Sequence, residues 1–209
     1  MKQTYLQRLQ EKQFKDISNL HWYETFVYWI TDTTTGQAKA LSEYLKEGLR
    51  HVKTSDEVYK IAVSCRRRTP YDAVYAIEKY VYNRWKYLSD KKQFGKVDYW
   101  ESIEEMLQND YADCESMNRM IYVLCRLAGI GSSFLWCCIG DTSIDADYIS
   151  DHFYTLFFDA RRSRYVALDT AFHPHITSIK RKKKWICGLN QNYSPPEYTF
   201  NEDEIWKFK

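Results

Sequence analysis

Residues 111–129 read YADCESMNRMIYVLCRLAG. Within them Met117, Met120, Ile121, Leu124 and Leu127 recur at helical spacing. Gly129 supplies a natural stop. Asp113 stands where an N-cap belongs, which makes Cys114 the first helical residue. A sulfur at that position faces unpaired backbone N–H groups and the positive end of the helix dipole. Both favour thiolate over thiol, so the pKa of Cys114 is expected to fall. Cysteine can also serve as a small apolar filler. Asp113 and Glu115 on either side make a poor setting for that role.

After Gly131 the periodicity changes from helix to strand. Phe134 to Ile139 reads as one strand, Asp141 to Asp147 as a polar loop, His152 to Asp159 as a second strand and Arg164 to Asp169 as a third. A two-residue turn at Ala160-Arg161 would pair Asp159 with Arg162. The same register then sets His152 directly opposite Asp169, with Cβ atoms about 4.5–5.5 Å apart. A slip of one residue would put the two on opposite faces. A carboxylate beside an imidazole fixes its tautomer and stabilises its cation, which is the orienting half of a Cys-His-Asp arrangement. The adjacent Cys137 and Cys138 should point to opposite faces of their strand.

Upstream, residues 1–54 read as helical and polar. Leu6, Leu9 and Phe14 are loosely spaced for one face, Trp22 to Ile30 is aromatic and apolar, and Ala38, Leu41, Tyr44, Leu45 and Leu49 have clean helical spacing. Ser55-Asp56-Glu57 opens a helix carrying Val58, Ile61 and Ala62. Thr69-Pro70 ends it and starts another over about 71–87, with Ala73, Ile77, Tyr80, Val81 and Trp85. Trp100 and Ser102 open a short helix with Ile103 and Met106. Beyond Ala171 the chain reads as loop, with a basic run Lys180–Lys184, Pro195-Pro196 and an acidic, aromatic tail. The division that follows is a helical N-terminal appendage (1–54), a core (55–175), and a basic loop with an extended C-terminal tail (176–209).

Composition bounds the function. The 209 residues are 44% hydrophobic and 17% aromatic, with 7 Gly and 4 Pro, which excludes a disordered or collagen-like chain. At this size about 70% of the unfolded surface is buried on folding, enough for a core without staples. Thirty basic against 28 acidic residues give a net charge of +2. That balance, with a pI of about 8.1, argues against a dedicated nucleic-acid binder. Mean hydropathy is −0.60, and no apolar run approaches the roughly 18 residues of a membrane span. The start lacks the apolar stretch of a signal peptide. Six cysteines show no C-x-x-C pair, so free thiols in a reducing, cytoplasmic setting are expected.

The stretch Asp98-Tyr99-Trp100-Glu101-Ser102, then Glu104-Glu105-Met106-Leu107 and Ala112-Asp113-Cys114-Glu115-Ser116, resembles the nucleophile region of the transglutaminase-like superfamily, nearest to its bacterial cysteine proteinases. Leu127-Ala128-Gly129-Ile130, Asp151-His152-Phe153 and Val166-Ala167-Leu168-Asp169 match the end of the nucleophile helix and the strands bearing His and Asp. Ala76-Ile77 through Trp85-Lys86-Tyr87 resembles the helix before the site. The likeness covers residues 55–172. It implies Cys114 as nucleophile, His152 as general acid and base, and Asp169 as the orienting residue. Two positions depart from the pattern: Ser116 stands where many relatives carry an acid, and Ala112 where they often carry Gly. Relatives that require calcium carry acids near the nucleophile, as Asp113 and Glu115 are here. No metal and no cofactor is expected for this chain; His173-Pro174-His175 lacks partner ligands.

The expected fold is α+β, a papain/transglutaminase-like core with the nucleophile helix packed on an antiparallel sheet, plus the N-terminal helices. For the oxyanion the backbone N–H of Cys114 is the default donor. Gln108, six residues before the nucleophile, and the indole N–H of Trp100 are side-chain candidates. The expected function is a thiol hydrolase cleaving an amide, most simply a peptide bond. A transamidase would use the same site with an amine in place of water, and a non-catalytic interaction protein could use the same fold. The expected partners are a protein or peptide substrate and a protein docking on the N-terminal helices. The substrate would lie in the cytoplasm or in an assembly built there, such as a virus particle.

Overall fold

A computed structural model describes residues 14–16, 33–50, 52–53, 56–96, 99–144, 147–171 and 196–208. Among these, β1 (Phe14–Asp16) precedes the helices α1 (Thr33–Leu49), α2 (Glu57–Cys65) and α3 (Pro70–Arg84). Then come β2 (Lys86–Tyr87), α4 (Asp90–Gln93), α5 (Ile103–Gln108), β3 (Tyr111–Ala112) and α6 (Cys114–Leu127). The strands β4 (Leu135–Ile144), β5 (Asp147–Asp159), β6 (Arg164–Leu168), β7 (Tyr198–Phe200) and β8 (Ile205–Phe208) complete the α+β fold.

The centre of the core is α6. Every residue from Ser116 to Cys125 is buried, because α1, α2 and α3 pack around it on one side and β4 and β5 on the other. Leu41 and Leu45, Val58 and Ile61, and Ile77 and Val81 line the helical side; Leu135, Cys137, Phe153 and Phe157 line the sheet side. A helix buried all round must satisfy its own polar side chains. Arg119 does so by donating to the carbonyl oxygens of Tyr44 (3.0 Å) and Glu101 (2.7 Å), with its guanidinium 3.4 Å from the Tyr44 ring centroid. Gly48 lets α1 come this close: a Cβ there would lie 2.8 Å from Val123 Cγ2 and 3.0 Å from Arg119 Nε. The helix ends at Gly129, whose φ of +99° suits glycine. Truncating Arg119 (R119A) removes two charge-assisted bonds to buried carbonyls. It should destabilise the protein by about 3 kcal/mol, read as a lower urea midpoint with unchanged slope.

The sheet runs β1-β8-β7-β4-β5-β6 with antiparallel neighbours throughout. Three expectations are corrected here. Phe14, expected in a helix, sits in an edge strand opposite Phe208. The C-terminal stretch, expected as loop, forms β7 and β8. Their turn is held by Asn201, whose side-chain oxygen accepts from the N–H groups of Asp203 and Glu204, each at 2.8 Å. The short alternations around that turn carry too few residues to announce strands, and pairing with β4 stabilises them. The polar loop expected at 141–147 is mostly ladder: β4 and β5 stay paired out to Ile144 and Asp147, with a shift in register between Gly140 and Thr142. Its acidic residues read as turn signals, but backbone pairing tolerates them. Cys137 and Cys138 do fall on opposite faces, Cys137 toward α6 and Cys138 among Trp136, Tyr154 and Leu156.

The β5–β6 register also differs from expectation. Asp159 pairs with Arg164 and Thr155 with Leu168, so the turn holds four residues rather than two. Arg162 closes it, donating from its backbone N–H to the Asp159 carbonyl at 3.1 Å and from Nη1 to Asp159 Oδ2 at 2.8 Å. Ser163 takes the left-handed φ of 51°. The displacement is two residues, an even number, so His152 and Asp169 still share a face. Continued one residue further, the ladder would set Asp169 beside Tyr154, diagonal to His152.

Residues 1–13, 17–32, 51, 54–55, 97–98, 145–146, 172–195 and 209 lie outside the described residues, and with them Trp22–Ile30, Asp98, His173, His175, Lys180–Lys184 and Cys187.

Candidate active site

Cys114 is the first residue of α6, and Asp113 is its N-cap, accepting the Ser116 N–H at 3.0 Å. The segment leading into it is pinned from several sides. Ser102 and Glu105 form a capping box at α5, Trp85 Nε1 donates to the Met106 carbonyl at 2.8 Å, and β2 runs parallel to β3 with Tyr87 beside Ala112.

The ladder between β5 and β6 stops at Thr155 and Leu168, and the start of α6 takes over from it. The Phe153 carbonyl accepts from Asn118 Nδ2 at 2.8 Å, and the same amide nitrogen bonds the Cys114 carbonyl at 3.0 Å. The backbone N–H of Phe153 lowers the pKa of the Cys114 thiol slightly. Asn118 thus ties the nucleophile's turn to the strand of His152, one residue from Phe153. His152 Nε2 lies 2.7 Å from Asp169 Oδ2, with the two residues only 4% and 1% exposed. A carboxylate only accepts, so Nε2 carries the hydrogen and Nδ1 is the basic nitrogen of the neutral ring. Gly140 stands across β4 from His152.

The expectation of a lowered Cys114 pKa is corrected. Burial, followed by the charges of Glu115 and Asp113, pushes the thiol well above its ordinary value, and the Phe153 N–H only partly offsets them. The thiol donates to Glu115 Oε2 at 2.8 Å. Burial and the Glu115 carboxylate also raise Asp113, to about 8. The helix start favours a thiolate, but burial and then the carboxylates on either side outweigh a partial charge of about half a unit. Cys114 therefore rests as a thiol and needs a base.

Trp100 packs its ring 5.5 Å from that of Tyr44. Together with Arg119 and Ile103 the two line a cavity of about 700 Å³, whose wall does not include Cys114. Gln108 ends α5 with its side chain exposed. The hydrogen bond at the sulfur, to Glu115, involves neither residue. Sequence reasoning missed Asn118, although a polar residue four positions after the nucleophile in an apolar helix was a visible signal. Burial, and then the charges of Cys114, Asp113, Glu115 and Asp169, raise the Tyr87 phenol above its ordinary value. Among the described residues no three His, Cys, Asp or Glu gather into a metal-binding group. The described cysteines Cys65, Cys114, Cys125, Cys137 and Cys138 are free thiols. No described helix is long and apolar enough to cross a membrane.

A helix opening on a cysteine, laid on an antiparallel sheet that carries a His-Asp pair, defines a papain-like thiol fold. A family model described as the transglutaminase-like superfamily matches residues 59–170, just over half of the chain, and the chain belongs to that superfamily. Among solved structures it is similar to calcium-bound LapG of Legionella pneumophila, at 16% identity and a TM-score of 0.53, over 80% of this chain and 87% of that one. The EGTA-treated form of LapG is similar at 17% identity and a TM-score of 0.52, over 81% and 86%. At these identities the likeness establishes the fold alone. No protein of curated function matches the chain.

Proposed function

We propose that the chain is a thiol hydrolase that cleaves an amide bond in a protein or peptide, with Cys114 as nucleophile, His152 as acid and base, and Asp169 as orienting residue. The buried His152–Asp169 pair, on the strand that Asn118 ties to the Cys114 turn, carries this reading. As Cys114 attacks the carbonyl carbon, its proton passes to His152 Nδ1 and the carbonyl π pair moves to oxygen. Asp169 stabilises the imidazolium. The intermediate collapses, the C–N bond breaks, and the imidazolium protonates the leaving amine. Water then gives a proton to His152 and attacks the thioester, and the departing sulfur is reprotonated. An amine in place of water would give transamidation. Free thiols support a reducing, cytoplasmic setting, and the helices around α1 are the proposed contact surface for a protein partner.

LapG is named in a calcium-bound form. In this chain Asp113 and Glu115 offer two carboxylates at one helix start, with Ser116 following. No third ligand joins them among the described residues, so the fit is incomplete and no step here passes through a metal.

The test is acylation by p-nitrophenyl acetate, followed as a p-nitrophenolate burst and as an acetyl group mapped to Cys114 by peptide mass spectrometry. A burst in the native protein that is absent from Cys114→Ala is expected. A native protein that is not acetylated at Cys114 overturns the reading.

A further inference from the structure

Asn118 is fully buried in α6, where burial alone favours an apolar side chain. Met117, Met120 and Ile121 beside it are of that kind. The amide also carries a penalty, because its Oδ1 is buried with no hydrogen-bond partner among the described residues. What the residue secures lies at its other atom. Nδ2 spends its two hydrogens on two backbone carbonyls, that of Phe153 at 2.8 Å and that of Cys114 at 3.0 Å. Turned over, the amide would point its oxygen at both, so these bonds fix its orientation.

The two carbonyls belong to the elements that carry the nucleophile and its partner. Cys114 opens α6, and Phe153 follows His152 on β5. The β5–β6 ladder ends at Thr155 and Leu168. Nearer His152, β5 has no pairing with β6 among the described residues, and Asn118 supplies a bond there instead. Its own carbonyl accepts from Thr155 Oγ1 at 3.4 Å, so β5 is held at a second point by the same residue.

On the reading of Cys114 as nucleophile and His152 as its base, we propose that Asn118 is a positioning residue, whose side-chain amide holds the first turn of α6 against β5 so that the Cys114 proton reaches His152. It touches no reacting atom and exchanges no proton. Its importance follows from the geometry of proton transfer and attack, where a misplacement of about 1 Å costs about a hundredfold in rate.

Two substitutions separate this role from packing. Asn118→Leu keeps about the same bulk, suits a buried helix and removes both donors. Asn118→Ser is milder. Its hydroxyl can bond the Cys114 carbonyl four residues back in the helix and, one bond shorter, cannot span to Phe153 as well. Each should slow acetylation of Cys114 by p-nitrophenyl acetate at pH 7 about tenfold to a hundredfold. Each should also turn the levelling of rate with pH into a continuing rise, because the proton is then lost to solution rather than to His152. The decisive arm is a cycle with His152→Ala. Without the base there is nothing to position, so either change combined with H152A should acetylate within about twofold of H152A alone. Arg119→Ala loosens the same helix from its other side and should keep the native pH profile. Native rates and profiles in both N118L and N118S would overturn the proposal. Equal slowing with and without His152 would overturn it as well, because Asn118 would then support the fold alone, and so would loss of the levelling in R119A. A native protein never acetylated at Cys114 is a separate result, which overturns the hydrolase reading on which this role rests.

Discussion

Replacing His152 with alanine (H152A) is expected to slow acetylation of Cys114 at pH 7 by about 10²- to 10⁴-fold, the range for loss of a positioned general base. The expectation follows from the state of the sulfur. A nucleophile that rested as a thiolate would lose little when its base was removed. Cys114 does not rest so: burial and two carboxylates hold its proton on, and the thiol donates to Glu115. Some group must take that proton as the carbonyl is attacked, and His152 Nδ1 is the basic nitrogen beside the sulfur's strand. The pH profile is the sharper readout. In the native protein the rate should level off once the imidazole is neutral. In H152A it should keep rising with pH, following the few thiolates present. Alanine also leaves the Asp169 carboxylate buried without its ring, so His152→Asn, which keeps a side-chain N–H donor, serves as the control for stability. If H152A and His152→Asn both acetylate at the native rate, His152 is not the base and the triad assignment fails.

Much of this site was legible in the sequence because each of its parts has a local cause. Asp113 caps and Cys114 follows, since N-cap chemistry and a helical apolar period are read within about five residues. The His152–Asp169 contact survived a wrong turn length because β-strands have a period of two, and the turn was wrong by an even number. What was not legible depends on partners distant in sequence. Tyr198–Phe200 is a strand because β4 is there to pair with it, and Phe14–Asp16 because β8 is. Nothing within either segment says so. The Cys114 pKa failed for a different reason. The helix dipole was weighed, but burial of the sulfur, which no local pattern announces, and then the charges of Glu115 and Asp113 decide the outcome. The pairing of Tyr87 with Ala112 was not legible either, because it is a parallel β-bridge between segments 25 residues apart in the chain.

Those carboxylates lead to the second large effect, which has the opposite sign. Glu115→Gln should raise the rate of Cys114 alkylation by iodoacetamide at pH 7 by roughly tenfold to a hundredfold, since a like charge at contact distance shifts a titration by about 1–3 pH units. Glutamine keeps an oxygen able to accept the S–H that Glu115 Oε2 now accepts at 2.8 Å, so the geometry is retained and only the charge is lost. Removing it lowers the thiol pKa, and the midpoint of rate against pH moves to lower pH. A counter-effect limits the gain. Asp113 is raised to about 8 by burial and then by Glu115; without Glu115 it ionises at lower pH and returns some negative charge to the sulfur. The double variant Asp113→Asn/Glu115→Gln removes that route. Asparagine caps a helix as well as aspartate does, so the bond from the Ser116 N–H has an acceptor and α6 keeps its start. Alkylation should therefore rise in the order native, E115Q, double variant, with the midpoint falling in step. Identical midpoints in all three would mean that burial alone holds the proton on Cys114. The two acids would then have no part in setting its reactivity, and a base would be needed whatever stood beside the sulfur.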